Sequence, residues 1–378
     1  MKRILIALIL ALPLSIIETL ASNPKTEIFR SEVYHKGMAG YSSFRIPAIV
    51  RTKGDILLAF AEARKDGGGD SGNIDLVVRR SEDGGRTWGD IITVWDDGAN
   101  TCGNPAPVVD YNSGRVLLLM TWNNGRDSEH AIMYRQSQDS RRVFICYSDD
   151  EGESWSTPRE ITSSTKRDNW AWYATGPCHA IQLLNKPHRD RIVIPCNHSV
   201  YEDGKSAYHS HLILSDDGGE SWRIGGIMLG GNESTVAESA DGSIVHNARW
   251  QSGDDRFARH FTISNDGGQT SGQVVRDANL IEPVCQGSMI SYVYNRKLSN
   301  KMLFSNPAST KSRESLRVRL SRDGGRSWSD GVVIEPGKAA YSDLVVLRGR
   351  DVGVLFETGT NNTYEKIVFA VINRKAVK

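Results

Sequence analysis

Cysteine is scarce and odd in number: five residues in 378, at positions 102, 146, 178, 196 and 285. An odd count leaves at least one thiol unpaired in a monomer, so a disulfide framework cannot be the basis of the fold. No His/Cys cluster has metal-ligand spacing. No metal and no cofactor are therefore expected. Helix-period patterns are scarce, and no Pro- or Ser-rich linker divides the chain. Past the N-terminus no apolar run is long enough to cross a bilayer. The net charge of +1 argues against nucleic acid or an anionic membrane as the main partner.

The first residues are the exception to the polar average. Lys2 and Arg3 precede an apolar run from Ile4 to Ile17, followed by Thr19-Leu20-Ala21. A cationic start, a short apolar stretch and a small residue describe a cleaved secretory signal. The expected division is a signal peptide over 1–21 and one domain over 22–378, with a secreted or periplasmic location. No Cys stands near the cleavage point, which argues against a lipid anchor.

What the chain has in abundance is glycine, 36 residues, much of it in a repeated motif. The motif is S-x-D-x-G-x-x-W. It starts at Ser81, Ser148, Ser215, Ser264 and Ser321, with Ser271 replacing Trp in the fourth copy. Asp accepts hydrogen bonds from backbone N–H groups a few residues on, which makes a turn. Gly supplies the positive φ the turn needs. Trp is expected to fill apolar space between neighbouring units. Each copy follows a strand-like run, such as Leu76-Val-Val or Leu212-Ile-Leu, so each repeat reads strand, tight turn, strand. The copies start 67, 67, 49 and 57 residues apart, which fits antiparallel blades with variable loops rather than a fixed-period solenoid. Many short strands with Gly-rich turns indicate an all-β fold. The length suits a six-bladed β-propeller with four antiparallel strands per blade.

Cys178 and Cys196 flank an apparent hairpin, His179–Leu183 and Arg191–Pro195, turning near Pro187. Their symmetry about the turn puts them face to face. Cross-strand geometry strains a disulfide, so two buried thiols are expected, with a bond as the alternative.

Near the first strand stands Phe44-Arg45-Ile46-Pro47. This segment, followed by repeated Asp boxes, resembles the bacterial and animal exo-sialidases (neuraminidases, glycoside hydrolase family 33 type) over essentially the whole mature chain. The resemblance implies a retaining glycoside hydrolase that removes terminal sialic acids from glycoproteins, glycolipids or oligosaccharides, with no metal or cofactor. Sialic acid carries a carboxylate on its anomeric carbon. Arg suits that anion, because its planar fork binds a carboxylate bidentately and stays charged. The family's three arginines fall on Arg45, on Arg249 in Asn247-Ala248-Arg249, and on Arg313. Arg317 and Arg319 are rivals for the third place. Family spacing favours Arg313, since the family's Tyr follows 28 residues later at Tyr341.

A carboxylate nucleophile would be repelled by the substrate's own carboxylate. At 4 Å that costs about 1 kcal/mol in water and about 4 kcal/mol at an effective dielectric of 20. A neutral phenol avoids the repulsion, and sialidases depart from the two-carboxylate rule in this way. The resemblance thus makes Tyr341 the nucleophile. Its phenol needs a base. Glu233 and Glu238 are the candidates, and Glu233 stands at the family's interval, 16 residues before Arg249. The acid/base is an Asp on a glycine-rich loop. Asp70, six residues after Arg64, matches; Asp66 is the runner-up. Closure of that loop is expected to raise the acid's pKa. Arg64 is implied in sugar binding and Glu357 in orienting Arg45.

Asn104, Trp172 and Tyr173 are further pocket-lining candidates, with ordinary rim packing as the alternative for the two aromatics. The boxes themselves are expected to be structural and away from the pocket. Two other functions share the pattern, a transglycosylating sialidase and a hydrolase of the deaminated sugar acid; a third, a non-catalytic sugar-binding propeller, is expected to lack Tyr341, Glu233 or Asp70, all of which are present.

Overall fold

A computed structural model describes residues 26–377 apart from 252, 294 and 295. The signal peptide expected over 1–21 lies outside the described residues.

The first strand, β1 (Glu27–His35), does not join its sequence neighbour. It pairs with the last strand of the chain, Glu27 opposite Ile372. The six blades then follow in order. The first is β2 (Ser43–Arg51), β3 (Leu57–Arg64), β4 (Ile74–Ser81) and β5 (Ile92–Trp95). The second is β6 (Thr101–Val109), β7 (Val116–Asn123), β8 (Arg142–Ser148) and β9 (Arg159–Glu160). In the third, β10 (Trp170–Thr175) and the short β11 (Ile181–Gln182) share one inner position beside β12 (Ile192–Glu202), β13 (Lys205–Ser215) and β14 (Arg223–Leu229). The fourth is β15 (Gly231–Glu238), β16 (Ile244–Trp250), β17 (Ala258–Ser264) and β18 (Val275–Ile281). The fifth is β19 (Ser288–Ser291), β20 (Met302–Pro307), β21 (Glu314–Ser321) and the first half of β22 (Val332–Val346). The second half of β22 opens the sixth blade, which continues through β23 (Val352–Thr358) and β24 (Lys366–Ile372) and ends on β1. This is the six-bladed propeller expected from the repeats, with the ring latched by the N-terminal strand.

Each box joins the third strand of its blade to the fourth. In the first copy, Asp83 Oδ1 accepts from Arg86 N, Thr87 N and Ser81 Oγ, while its Oδ2 accepts from Thr87 Oγ1 at 2.6 Å. Ser81 Oγ in turn accepts from Gly85 N at 2.8 Å. The same wiring recurs at Asp150, Asp217, Asp266 and Asp323. The second glycine does two jobs. Gly85 has φ +91, and a Cβ there would stand 2.2 Å from the Phe369 ring of the preceding blade. Two of the Trp residues pack on the preceding blade as well: Trp88 lies edge-on to Phe369 and Trp155 edge-on to Phe60, whereas Trp328 meets Phe304 of its own blade. The boxes therefore fasten blade to blade, and most of the core consists of apolar clusters between adjacent sheets.

All five cysteines are free and buried. The hairpin near Pro187 exists, with Ile181 opposite Val193, but Cys178 does not face Cys196. Residues 176–180 leave the sheet, and the partner of Cys196 is Thr175.

Candidate active site

The innermost strands of the blades run in one sense around the axis, and five of them are irregular at their first turn. Pairing registers shift between Arg45 and Ala48, Gly103 and Ala106, Trp170 and Tyr173, Gly231 and Ser234, and Ala339 and Ser342. A bulge bends its strand and re-aims a side chain. Arg45, Asn104, Trp172, Glu233 and Tyr341 all fall inside these irregular stretches, at one end of the axis. A separate cavity of about 400 Å³, lined by Ile49, Val108, Gln182, Glu238 and Val346 among others, marks the other end.

The irregularity in β2 is held by one carboxylate. Ile46 sits at φ +58, a left-handed conformation that costs a β-branched residue of order 1–3 kcal/mol. Glu357, fully buried on β23, accepts Ile46 N at 2.9 Å, Arg45 Nε at 2.8 Å and Tyr341 N at 3.2 Å. It thus fixes both the guanidinium of Arg45 and the strand carrying Tyr341.

Three guanidinium groups surround the Tyr341 phenol. Arg45 and Arg313 lie 5.3 and 5.4 Å from its ring centroid, and Arg249 Nη1 donates to its hydroxyl at 3.2 Å. The hydroxyl donates to Glu233 Oε1 at 2.6 Å, while Glu233 Oε2 accepts from Arg249 at 2.6 Å. Tyr364 completes the cluster: its ring lies 4.0 Å from the Arg45 guanidinium, and its hydroxyl accepts from Arg313 at 2.9 Å. Burial works to lower the pKa of each of these arginines, but the adjoining acidic and phenolic groups raise all three on balance. The Tyr341 phenol is pushed well above its usual value, by burial first and then by Glu233, against the pull of Arg249 and Arg313. It rests as a neutral hydroxyl with a base already on its proton.

Asp70 reaches the same group from the glycine-rich loop after β3. Its side chain is 69% exposed, yet Oδ1 lies 2.8 Å from Arg64 Nη1 and 3.7 Å from Arg45 Nη1. Arg64 is held from behind by Glu62 at 2.6 Å and also donates to Gly68 of the loop. Burial works to raise the Asp70 pKa, but Arg64 and Arg45 outweigh it, so the carboxyl titrates below its ordinary value. The raised pKa expected from loop closure is therefore not found here, because the Arg64 and Arg45 cations stand beside the carboxyl. Asp66 has an exposed side chain on the same loop.

The next wall is polar and buried. Asn104, at φ +54, is tied through its N–H to Glu62 at 2.9 Å, and its Oδ1 accepts from Arg141 and Thr121. Arg141 is fully buried over the Trp172 ring at 4.0 Å, and burial lowers its pKa to about 10.

The structure separates the rivals. Glu238 holds the backbone of Leu184 and Asn185, away from Tyr341. Arg319 binds Asn306, and Arg317 donates to the Asp330 carbonyl near the rim. Tyr173 is corrected: alternation along β10 turns it from Trp172's face into the core, where its hydroxyl meets His211 Nε2 at 3.0 Å. Tyr364, Glu62 and Arg141 were not anticipated. Glu62 had a signal, since it lies two residues before Arg64 and so on the same strand face. Tyr364 belongs to no motif.

The comparisons with known proteins agree with this geometry. Residues 55–354 match the family described as BNR repeat-like domain. The chain is 31% identical to an exo-alpha-sialidase of Aspergillus fumigatus over 366 residues, covering 88% of this chain and 84% of that one. It is 29% identical to a sialidase of Micromonospora viridifaciens, covering 87% of this chain and 52% of that one. The solved structure of a Hadza microbial sialidase superposes with a TM-score of 0.81 at 26% identity, covering 93% of this chain and 69% of that one.

Proposed function

We propose that this chain, which belongs to the exo-α-sialidase family of glycoside hydrolases, releases terminal sialic acids from glycoproteins, glycolipids or oligosaccharides with retained configuration, through a tyrosyl-enzyme intermediate. The observation that carries the reading is the set of four contacts around Tyr341. Its hydroxyl is bonded to Glu233, its oxygen accepts from Arg249, and Arg45 and Arg313 flank its ring.

In the first step the sugar's carboxylate lies against Arg45, Arg249 and Arg313. It competes with Asp70 for Arg45. Loss of that cation and of solvent raises the Asp70 pKa, so the carboxyl is protonated when it is needed. The Tyr341 oxygen attacks the anomeric carbon while its proton passes to Glu233. The glycosidic bond breaks and its oxygen leaves with the proton of Asp70. In the second step Asp70, now a carboxylate, takes a proton from water as the water oxygen attacks the same carbon. The bond to Tyr341 breaks, and Glu233 returns the proton to the phenolate. Two inversions give net retention. The excess pKa of the resting phenol is no obstacle, because Glu233 accepts the proton during attack rather than before it.

The protein is read as secreted or periplasmic, from Lys2, Arg3 and the apolar run that follows.

The direct test is hydrolysis of an α-glycoside of N-acetylneuraminic acid followed by NMR. The α-anomer of the free sugar acid should appear first and then mutarotate. First appearance of the β-anomer would reject retention. Sialyl transfer to lactose in preference to water would replace hydrolysis by transglycosylation.

A further inference from the structure

The arginine triad has a second buried support, separate from Glu357. Arg259 on β17 stands one step beyond the last paired residues of its ladder with β16, Ala248 opposite His260, and so lies beside Arg249. Like charges in adjacent strand positions repel. Arg259 is fully buried, and its partner is Glu282, equally buried, at 3.4 Å. The pair holds two segments at once. Arg259 Nε donates to Asn247 Oδ1 at 2.7 Å, two residues before Arg249, and Nη2 donates to the Asn247 carbonyl. On the other side Arg259 Nη1 donates to the Cys285 carbonyl at 3.0 Å, and Glu282 Oε2 accepts from Cys285 N at 3.0 Å. The residue before Cys285, Val284, is a β-branched side chain at φ +54, and its carbonyl accepts from Arg313 Nη2 at 3.1 Å.

We infer that Arg259 and Glu282 form a positioning pair that sets the spacing of Arg249 and Arg313, and so the fit of the site to a carboxylate. The inference rests on the sialidase reading given above. The pair touches neither the nucleophile nor the acid. It fastens the strand that carries Arg249 to the turn whose carbonyl aims Arg313, and Glu282 offsets the Arg259 charge that would otherwise push Arg249 away. A left-handed valine persists only where its surroundings over-determine it. Here the clamp on Cys285, one residue on, supplies that constraint.

The test is Glu282→Gln in the full chain, with Arg259→Lys beside it. Steady-state kinetics on a sialyl glycoside are compared with inhibition by the 2,3-dehydro-2-deoxy analogue, which keeps the carboxylate. Displacing the arginines should raise both KM and Ki by about 10- to 100-fold, with a fall in kcat beside it, because Arg249 also bonds Glu233 and the Tyr341 hydroxyl. A lower melting temperature with unchanged KM and Ki in the folded enzyme would overturn the proposal and leave an ordinary structural ion pair. Should Glu282→Gln not fold, Glu282→Asp keeps the charge and shortens its reach to Arg259 and Cys285. It should weaken analogue binding, and the loss should not add to that of Arg313→Lys. Unchanged binding in Glu282→Asp, or full additivity, would overturn the proposal too. Failure of the unmodified protein to bind the analogue would instead sink the sialidase reading.

Discussion

Asp83 at a blade turn and Glu357 in the pocket do the same local work with different results. Each is a carboxylate that accepts several donors and fixes a stretch of backbone. Asp83 lies on the exposed rim, binds its own neighbours within a few residues, and recurs with small changes in four other turns. Glu357 is fully buried and binds residues of the first and last blades, as the buried Glu62 binds Arg64 and the left-handed Asn104 of the next blade. The short-range exposed turn marks scaffold. Chemistry resides in residues that occur once and are gathered from separate blades by irregular strands.

The largest effect that could break this contrast lies at the nucleophile. Tyr341→Phe should lower kcat/KM by at least about 10³-fold, as loss of an activated nucleophile does in other hydrolases. The fold and the binding of the dehydro analogue should survive, measured by thermal melting and calorimetry. Near-normal turnover would remove Tyr341 from the reaction.

The acid gives an intermediate effect with a diagnostic pattern. Asp70→Asn should slow alkyl glycosides, whose leaving oxygen needs a proton, by about 10²- to 10⁴-fold. Activated aryl glycosides should suffer much less. Equal losses on both substrates would mean that Asp70 does not protonate the leaving group.

The smallest effect tests the scaffold side. Burial works to raise the Asp83, Asp150 and Asp266 pKa values, but the hydroxyl and backbone donors win and bring each down to about 2. A carboxyl depressed in the folded state stabilises above its unfolded pKa, near 3.9. That contribution fades as pH falls from about 4 through the folded value. Asp150→Asn should therefore lower the melting temperature at pH 7, with the deficit shrinking between pH 4 and pH 2 and kcat unchanged throughout. A loss of turnover in the folded variant would blur the division between turn and pocket.

The propeller was legible because five copies of one turn each announce a strand before and a strand after. The missing sixth copy was not informative until β1 was seen to occupy the last blade. The chemistry was legible where motif order and interval select one residue: Arg45, Asp70, Glu233, Arg249, Arg313 and Tyr341 meet around one hydroxyl or its neighbouring cations. The rest depended on contacts between strands. Tyr364 bridges Arg45 and Arg313 from a loop with no pattern, and Arg259 meets Glu282 through the pairing of β17 with β18, Ala258 opposite Ile281. Tyr173 failed because it turns to the opposite face from Trp172, into the core cluster that also holds Trp170. The hairpin of Cys178 was right in outline and wrong at its end, where the chain leaves the sheet.

The latch formed by β1 has a consequence for when the protein becomes active. Arg45 belongs to the first blade, and Tyr341 and Glu357 to the sixth, so the catalytic group straddles the seam of the ring. A chain still lacking β24 has no partner for Glu27–His35 and cannot bring that seam together. Turnover is thus a direct gauge of circularisation, silent until the two ends of the polypeptide have met.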